Sequence, residues 1–147
     1  VIDAGADVLA LDGTTRERPD GRTFAQTVAA VRESFAGPLM ADCDSLESAL
    51  IAADLGVEII GTTLAGYTGA RPRTTGPDLE LLAQLVDRLP ETSVLVAEGR
   101  VHTPQQAADA RATGAFAVVV GTAITHPTSI TRWFCTAVED AAGTELG

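Results

Sequence analysis

Five short apolar runs punctuate the chain: Asp7–Asp12, Pro38–Cys43, Val57–Thr63, Ser93–Glu98 and Phe116–Gly121. None alternates with polar residues, so each reads as a strand covered on both faces, the condition of a parallel sheet under helices. Between the runs lie segments of helical period. Phe24, Val28, Val31 and Phe35 fall on one stripe, and so do Leu79, Leu82, Leu85, Val86 and Leu89. Helix starts are marked at Ser45, at Pro77-Asp78 and at Thr103-Pro104, where Thr is the N-cap and Pro takes the first helical position. Gly5, Gly56 and Gly114 each end a helix just ahead of a strand, where glycine supplies the left-handed residue. Val1–Gly5 reads as the tail of a helix entering the first strand, so the natural protein is expected to start further upstream. Strand and helix alternate throughout, which predicts an α/β fold with a parallel sheet.

Two architectures satisfy that order: an open doubly wound sheet, or most of a (β/α)8 barrel lacking its first three units. No Gly-x-Gly-x-x-Gly follows a strand, which disfavours a dinucleotide fold. The polar residues that stand out cluster at strand C-terminal ends: Asp12, Asp42, Thr62-Thr63, Glu98-Gly99-Arg100 and Gly121-Thr122. A barrel builds its active site at that face.

Composition narrows the chemistry. A net charge of −10 argues against nucleic acid as a partner, because phosphate backbones are bound by basic surfaces. No apolar run reaches the roughly 18 residues of a membrane span. Cys43 and Cys135 form no spacing pattern and suggest reduced thiols in a cytoplasm. His102 and His126 make no metal-ligand pattern with them, so no metal is expected. All ten basic residues are arginine. A mechanism that needs a lysine cannot be run by these 147 residues alone.

Glu98 follows Val94-Leu95-Val96-Ala97, at the mouth of an apolar strand. Partial burial there raises a carboxyl pKa and suits it to proton transfer near neutrality; the plainer role is an arginine-paired or capping carboxylate. Gly99-Arg100 and Gly121-Thr122 follow the last two strands, where glycine lets backbone amides approach a phosphate, or simply makes a strand-to-helix turn. Asp12 and Asp42 end the first two strands and fit either hydrogen bonding to sugar hydroxyls or capping of the next loop. Cys43 reads as a small buried residue rather than a nucleophile. Thr63–Thr68 leads into Gly69–Gly76, which reads as a mobile loop over the sheet end. Its Tyr67 either caps a ligand or belongs to an ordinary exposed loop.

Taken together, Leu9-Ala10-Leu11-Asp12-Gly13-Thr14, Arg18-Pro19-Asp20-Gly21, Met40-Ala41-Asp42-Cys43 and Ile60-Gly61-Thr62-Thr63-Leu64-Ala65-Gly66-Tyr67-Thr68 resemble the N-acylmannosamine-6-phosphate 2-epimerase family. Ala97-Glu98-Gly99-Arg100 and Val119-Val120-Gly121-Thr122-Ala123-Ile124-Thr125 continue the resemblance over nearly the whole chain. It implies a phosphate-binding (β/α)8 TIM barrel, with residues 1–147 forming its last five βα units, about strands 4 to 8 of a single domain. It implies an isomerase that interconverts N-acetylmannosamine 6-phosphate and N-acetylglucosamine 6-phosphate in sialic acid and amino-sugar catabolism, in the cytoplasm and without a cofactor. Glu98 matches the family's catalytic glutamate. Asp42 matches a carboxylate of the sugar site, and Asp12, Thr62, Thr63 and Tyr67 are expected to join it in binding substrate. Gly99, Arg100, Gly121 and Thr122 match the phosphate loops. The expected partner is a phosphorylated amino sugar, with no nucleic acid and no membrane, and homodimerisation of the complete enzyme stays open.

Two positions depart from the pattern. The family pairs its glutamate with a lysine from an early strand, and the chain has none. His126 stands where the family often has a phosphate-reaching arginine; it is expected to bind the phosphate in that place through one hydrogen bond, or as a cation at lower pH, without the arginine's bidentate fork. Two alternatives remain: another phosphosugar barrel isomerase or lyase, or a truncated inactive chain that only binds sugar phosphates.

Overall fold

The computed structural model describes residues 1–144, so the end of the expected 1–147 range lies outside the described residues. Five strands form one parallel sheet: β1 (Leu9–Asp12), β2 (Leu39–Asp42), β3 (Ile59–Gly61), β4 (Val94–Glu98) and β5 (Ala117–Val119). Their spatial order is β1-β2-β3-β4-β5, and every neighbouring pair is parallel. A doubly wound sheet reverses its order at a switch point. Here the order never reverses, which is the order of a barrel wall.

The connecting helices are α1 (Phe24–Arg32), α2 (Leu46–Asp54), α3 (Leu79–Arg88) and α4 (Pro104–Ala112). A short α5 (Thr122–Thr125) and a long α6 (Pro127–Thr144) follow β5. Ahead of β1, where the sequence suggested a helix tail, stands a single 3-10 turn, Ile2–Ala4. Three helices open with reciprocal capping boxes, Thr23 with Gln26, Ser45 with Ser48 and Thr103 with Gln106. Asp78 caps α3 by accepting the Leu81 amide. Each cap satisfies otherwise unpaired amides and is worth about 1 kcal/mol. Each also fixes where a helix begins, and so how far the loop from the preceding strand can reach. Gly56 and Gly114, with φ of 76° and 111°, turn the chain from α2 and α4 towards the next strands.

The core lies between sheet and helices. Leu39, Ala41, Ile60, Leu95 and Ala97 on the strands pack with Val28, Ala52, Leu81, Leu82, Leu85 and Ala110 on the helices, all buried. The other sheet face is different. Met40, Val94, Val96 and Glu98 are only half-buried, and Ala10 and Asp12 are exposed. The expectation of strands covered on both faces therefore holds for the helix side alone. Among the described residues, five strands do not close around the inner face, so nothing packs opposite it. The described side chains of α6 are mostly exposed, Phe134 and Val138 among them. No helix of the described residues is long and apolar enough to cross a membrane.

Candidate functional site

The sheet register brings the carboxylates together. Asp12 pairs with Asp42, Asp42 with Gly61, and Gly61 with Val96. Glu98 is two residues beyond Val96, and side chains two apart on a strand share a face. Asp12, Asp42 and Glu98 therefore all stand on the inner face at the C-terminal end of the sheet. Burial pushes the Glu98 carboxyl above its ordinary range, and the negative charge of Asp42 pushes it further. The nearby Thr63 hydroxyl partly offsets both. Thr63 gives its single hydroxyl hydrogen to Asp42 Oδ1 at 2.6 Å.

Glu98 faces a cavity of about 340 Å³ at the ends of β3, β4 and β5. Thr63, Tyr67, Gly99, Arg100, Gly121 and Thr122 line it with Glu98, so seven of the residues expected from the sequence meet in one place. Among the described residues no protein acceptor takes the amides of Gly99, Arg100, Gly121 or Thr122. Those four N–H groups are donors of the kind an anion needs.

The other expected residues stand elsewhere. Asp12 accepts from the Thr14 amide at 2.9 Å, from the Thr14 hydroxyl at 2.6 Å and from Arg16 at 2.7 Å. Burial works against its ionised form, but these partners outweigh it and hold the carboxyl below its ordinary range. Its carboxylate is thus the cap of its own loop. Thr62 is buried, and its hydroxyl bonds the backbone of Glu98 rather than facing the cavity. His126 is exposed at the join of α5 and α6, and its Nδ1 accepts the Ser129 amide at 3.3 Å and lies 2.8 Å from Ser129 Oγ. There it acts as a side-chain cap for α6. The Cys43 thiol is fully buried and pushed up to about 12 by burial, with Asp44, Asp42 and Asp12 adding to the effect and a Ser48 hydrogen bond opposing it. A thiol in that state is no nucleophile. Among the described residues no group of three or more His, Cys, Asp and Glu could hold a metal ion.

The Gly69–Gly76 stretch, expected to be mobile, is tied down. Arg71 donates to Asp78 at 2.7 and 3.1 Å. Thr68 donates to Asp44 Oδ2 at 2.6 Å, and Arg100 donates to Thr74 and Gly76. Asp44 is a site-shaping residue that sequence reasoning missed. It is 4% exposed and also accepts the Ser48 hydroxyl at 2.9 Å. The signal was the Asp44-to-Ser48 spacing across a helix start, where a carboxylate and a hydroxyl four residues apart meet. Trp133 was also missed. Its ring lies 4.7 Å from that of His102, at the cavity margin.

Residues 1–140 match the family model described as "NanE: Putative N-acetylmannosamine-6-phosphate epimerase". Two relatives carry the description "Putative N-acetylmannosamine-6-phosphate 2-epimerase". The one from Cutibacterium acnes is 56% identical over 131 residues, covering 89% of this chain and 57% of its own length. The one from Caldanaerobacter subterraneus is 43% identical over 141 residues, covering 95% and 59%. Among solved structures, the N-acetylmannosamine-6-phosphate 2-epimerase from Clostridium perfringens superposes with a TM-score of 0.84 at 36% identity, over 90% of this chain and 57% of that one. The chain thus spans somewhat under three-fifths of the length of these relatives. On the match over residues 1–140, the chain belongs to the NanE N-acetylmannosamine-6-phosphate epimerase family.

Proposed function

We propose that these residues are five βα units of an eight-unit barrel that epimerises C2 of N-acetylmannosamine 6-phosphate to N-acetylglucosamine 6-phosphate. The observation that carries the reading is Glu98: a half-buried carboxyl with a raised pKa, beside Asp42, facing a cavity lined with unpaired amides. The reaction suits those groups. Once the sugar ring opens, C2 lies next to an aldehyde, and its proton becomes acidic. Glu98 as carboxylate takes that proton, the C2–H electron pair delocalises onto the aldehyde oxygen, and Glu98 becomes the acid. Return of a proton to the opposite face of C2 inverts the centre. Carbon ends at the oxidation level it began with, so the step needs no oxidant or reductant.

The opposite face needs a second acid or base. The resemblance assigns that role to a lysine of an early strand, and we place it in the units that complete the barrel. The amides of Gly99, Arg100, Gly121 and Thr122 would receive the phosphate, in keeping with the anion sites of such barrels. A cytoplasmic setting fits a phosphorylated sugar substrate.

The test is deuterium incorporation at C2 of N-acetylmannosamine 6-phosphate in heavy water, followed by NMR with the intact protein and its Glu98→Gln variant. The intact protein should exchange C2 and form both epimers. Glu98→Gln should lower the rate by at least about a hundredfold, the lower bound for a positioned acid–base group. Near-normal exchange in that variant would remove Glu98 from the mechanism.

A further inference from the structure

Arg100 lines the cavity, yet every hydrogen bond of its guanidinium goes to the loop that follows β3. Nη1 donates to Ala65 O at 2.5 Å, Nε and Nη2 donate to Thr74 Oγ1 at 3.3 and 3.0 Å, and Nε also reaches Gly76 O at 3.2 Å. The residue is 8% exposed. Its Cζ lies 5.3 Å from the centre of the Tyr67 ring, and Arg73 Cζ lies 5.4 Å from the same ring. Both distances are in the range of cation–π attraction.

The backbone agrees with that arrangement. Arg100 has φ of 56°, which side-chain-bearing residues seldom adopt. Such a conformation persists only where the surroundings over-determine it, and the loop acceptors are those surroundings. The loop folds back closely enough that a Cβ on Gly66, at φ 77°, would fall 3.0 Å from Arg73 Cα and 3.2 Å from Arg100 Nη1. Only glycine fits between the returning chain and the guanidinium.

We propose that Arg100 is a positioning residue: its guanidinium clamps residues 65–76 and sets the Tyr67 ring at the rim of the cavity, acting on substrate through that loop rather than by touching the phosphate. The inference rests on the reading of the cavity as a sugar-phosphate site. A planar fork with several fixed donors can bridge Ala65, Thr74 and Gly76 at once, whereas a lysine is a single mobile charge. Arg100→Lys therefore keeps the charge and loses the clamp. Thr74→Val removes one exposed acceptor with little risk to folding.

Three measurements on the intact protein test it. Hydrogen exchange across residues 65–76 should quicken about tenfold in both variants, the scale of losing a hydrogen bond to a charged donor. Affinity for inorganic phosphate should stay within about twofold in Arg100→Lys. In turnover, Arg100→Lys should raise KM far more than it lowers kcat, and its effect should be non-additive with Tyr67→Leu, because both act through one ring. Unchanged exchange overturns the clamp. Phosphate affinity that falls about tenfold or more in Arg100→Lys makes the guanidinium a ligand and overturns the proposal. Additive effects of the two substitutions overturn the path through Tyr67. If the unsubstituted protein binds no phosphate, the cavity reading fails, and the exchange data still decide the clamp separately.

Discussion

Thr62 and Glu98 exchange two hydrogen bonds across adjacent strand ends: the Glu98 amide donates to Thr62 Oγ1 at 3.0 Å, and that hydroxyl donates back to the Glu98 carbonyl at 2.9 Å. The pair replaces the next rung of the sheet at the point where β4 ends. It holds the backbone of the proposed catalytic carboxyl without using the carboxyl itself. Thr62→Val keeps the shape and removes the hydroxyl, leaving a buried amide unpaired. The expected cost is about 1–3 kcal/mol of stability. Thr62→Ser should restore most of it. Denaturant unfolding of the three proteins checks the order, and equal stabilities would show that the pair does not hold the strand end.

The pKa of Glu98 is coupled to Asp42. Burial is the larger cause of the upward shift and the Asp42 charge the second, so Asp42→Asn should lower the Glu98 value without restoring it fully. A carboxyl raised in the folded state binds its proton more tightly there than in the unfolded chain. It therefore favours folding below its ordinary 4.5 and opposes folding as pH rises through the folded value. In the intact protein, Glu98→Gln, which removes that opposition, should be more stable than the unsubstituted form at neutral pH while losing C2 exchange. Melting curves at pH 7 and carbon-detected titration of the Glu98 carboxyl read the two effects. A Glu98 value unmoved by Asp42→Asn would mean that the two charges do not interact.

Much of this architecture is legible in the residues. Strand positions follow from short apolar runs, and three helix starts follow from Ser45, Asp78 and Thr103. The run ends are less legible. Val57–Thr63 shortens to Ile59–Gly61 because the Val57 amide still bonds Ala52 O at the exit of α2. The cavity residues are legible because strand C-terminal ends converge in a parallel sheet. What each side chain does there is not. Arg100 stands in a motif that suggests a phosphate ligand, and only the fold shows its guanidinium held by Ala65, Thr74 and Gly76. Asp12 and Asp42 look alike in sequence, yet one is enclosed by Thr14 and Arg16 while the other meets Thr63. Such partners are set by long-range geometry or local turns that no spacing rule separates.

The outer edges of β1 and β5 have no strand partner among the described residues, and Phe134 and Val138 of α6 are exposed. Open edges and apolar surface favour association. The 147-residue chain made by itself should therefore self-associate in light scattering, and with no lysine it should not exchange C2 of the sugar phosphate. A clean, stable monomer would show that these five units satisfy their own surfaces.

Asp78 joins the cap of α3 to the anchor of the 65–76 loop. It accepts the Leu81 amide at 2.9 Å and takes Arg71 at 2.7 and 3.1 Å, while the two side chains are only 5% and 18% exposed. Burial works against the ionised form. The hydrogen bonds from Arg71 and Leu81, with the charges of Arg71 and Arg100, outweigh it and hold the carboxyl below its ordinary 3.8. A carboxyl depressed in the folded state contributes stability above that unfolded value and loses it as pH falls through the folded one. Asp78→Asn can still cap α3, because asparagine is a good N-cap, but it surrenders the pair with Arg71. It should cost about 1.5–3 kcal/mol near neutrality, the range for hydrogen bonds to charged groups. The gap to the unsubstituted protein should close below pH 3.8, where that protein loses the same charge. Thermal melts of both proteins from pH 6 down to about pH 2.5 measure the gap directly. A gap that stays constant across the acid range would assign the cost to packing rather than to the ion pair.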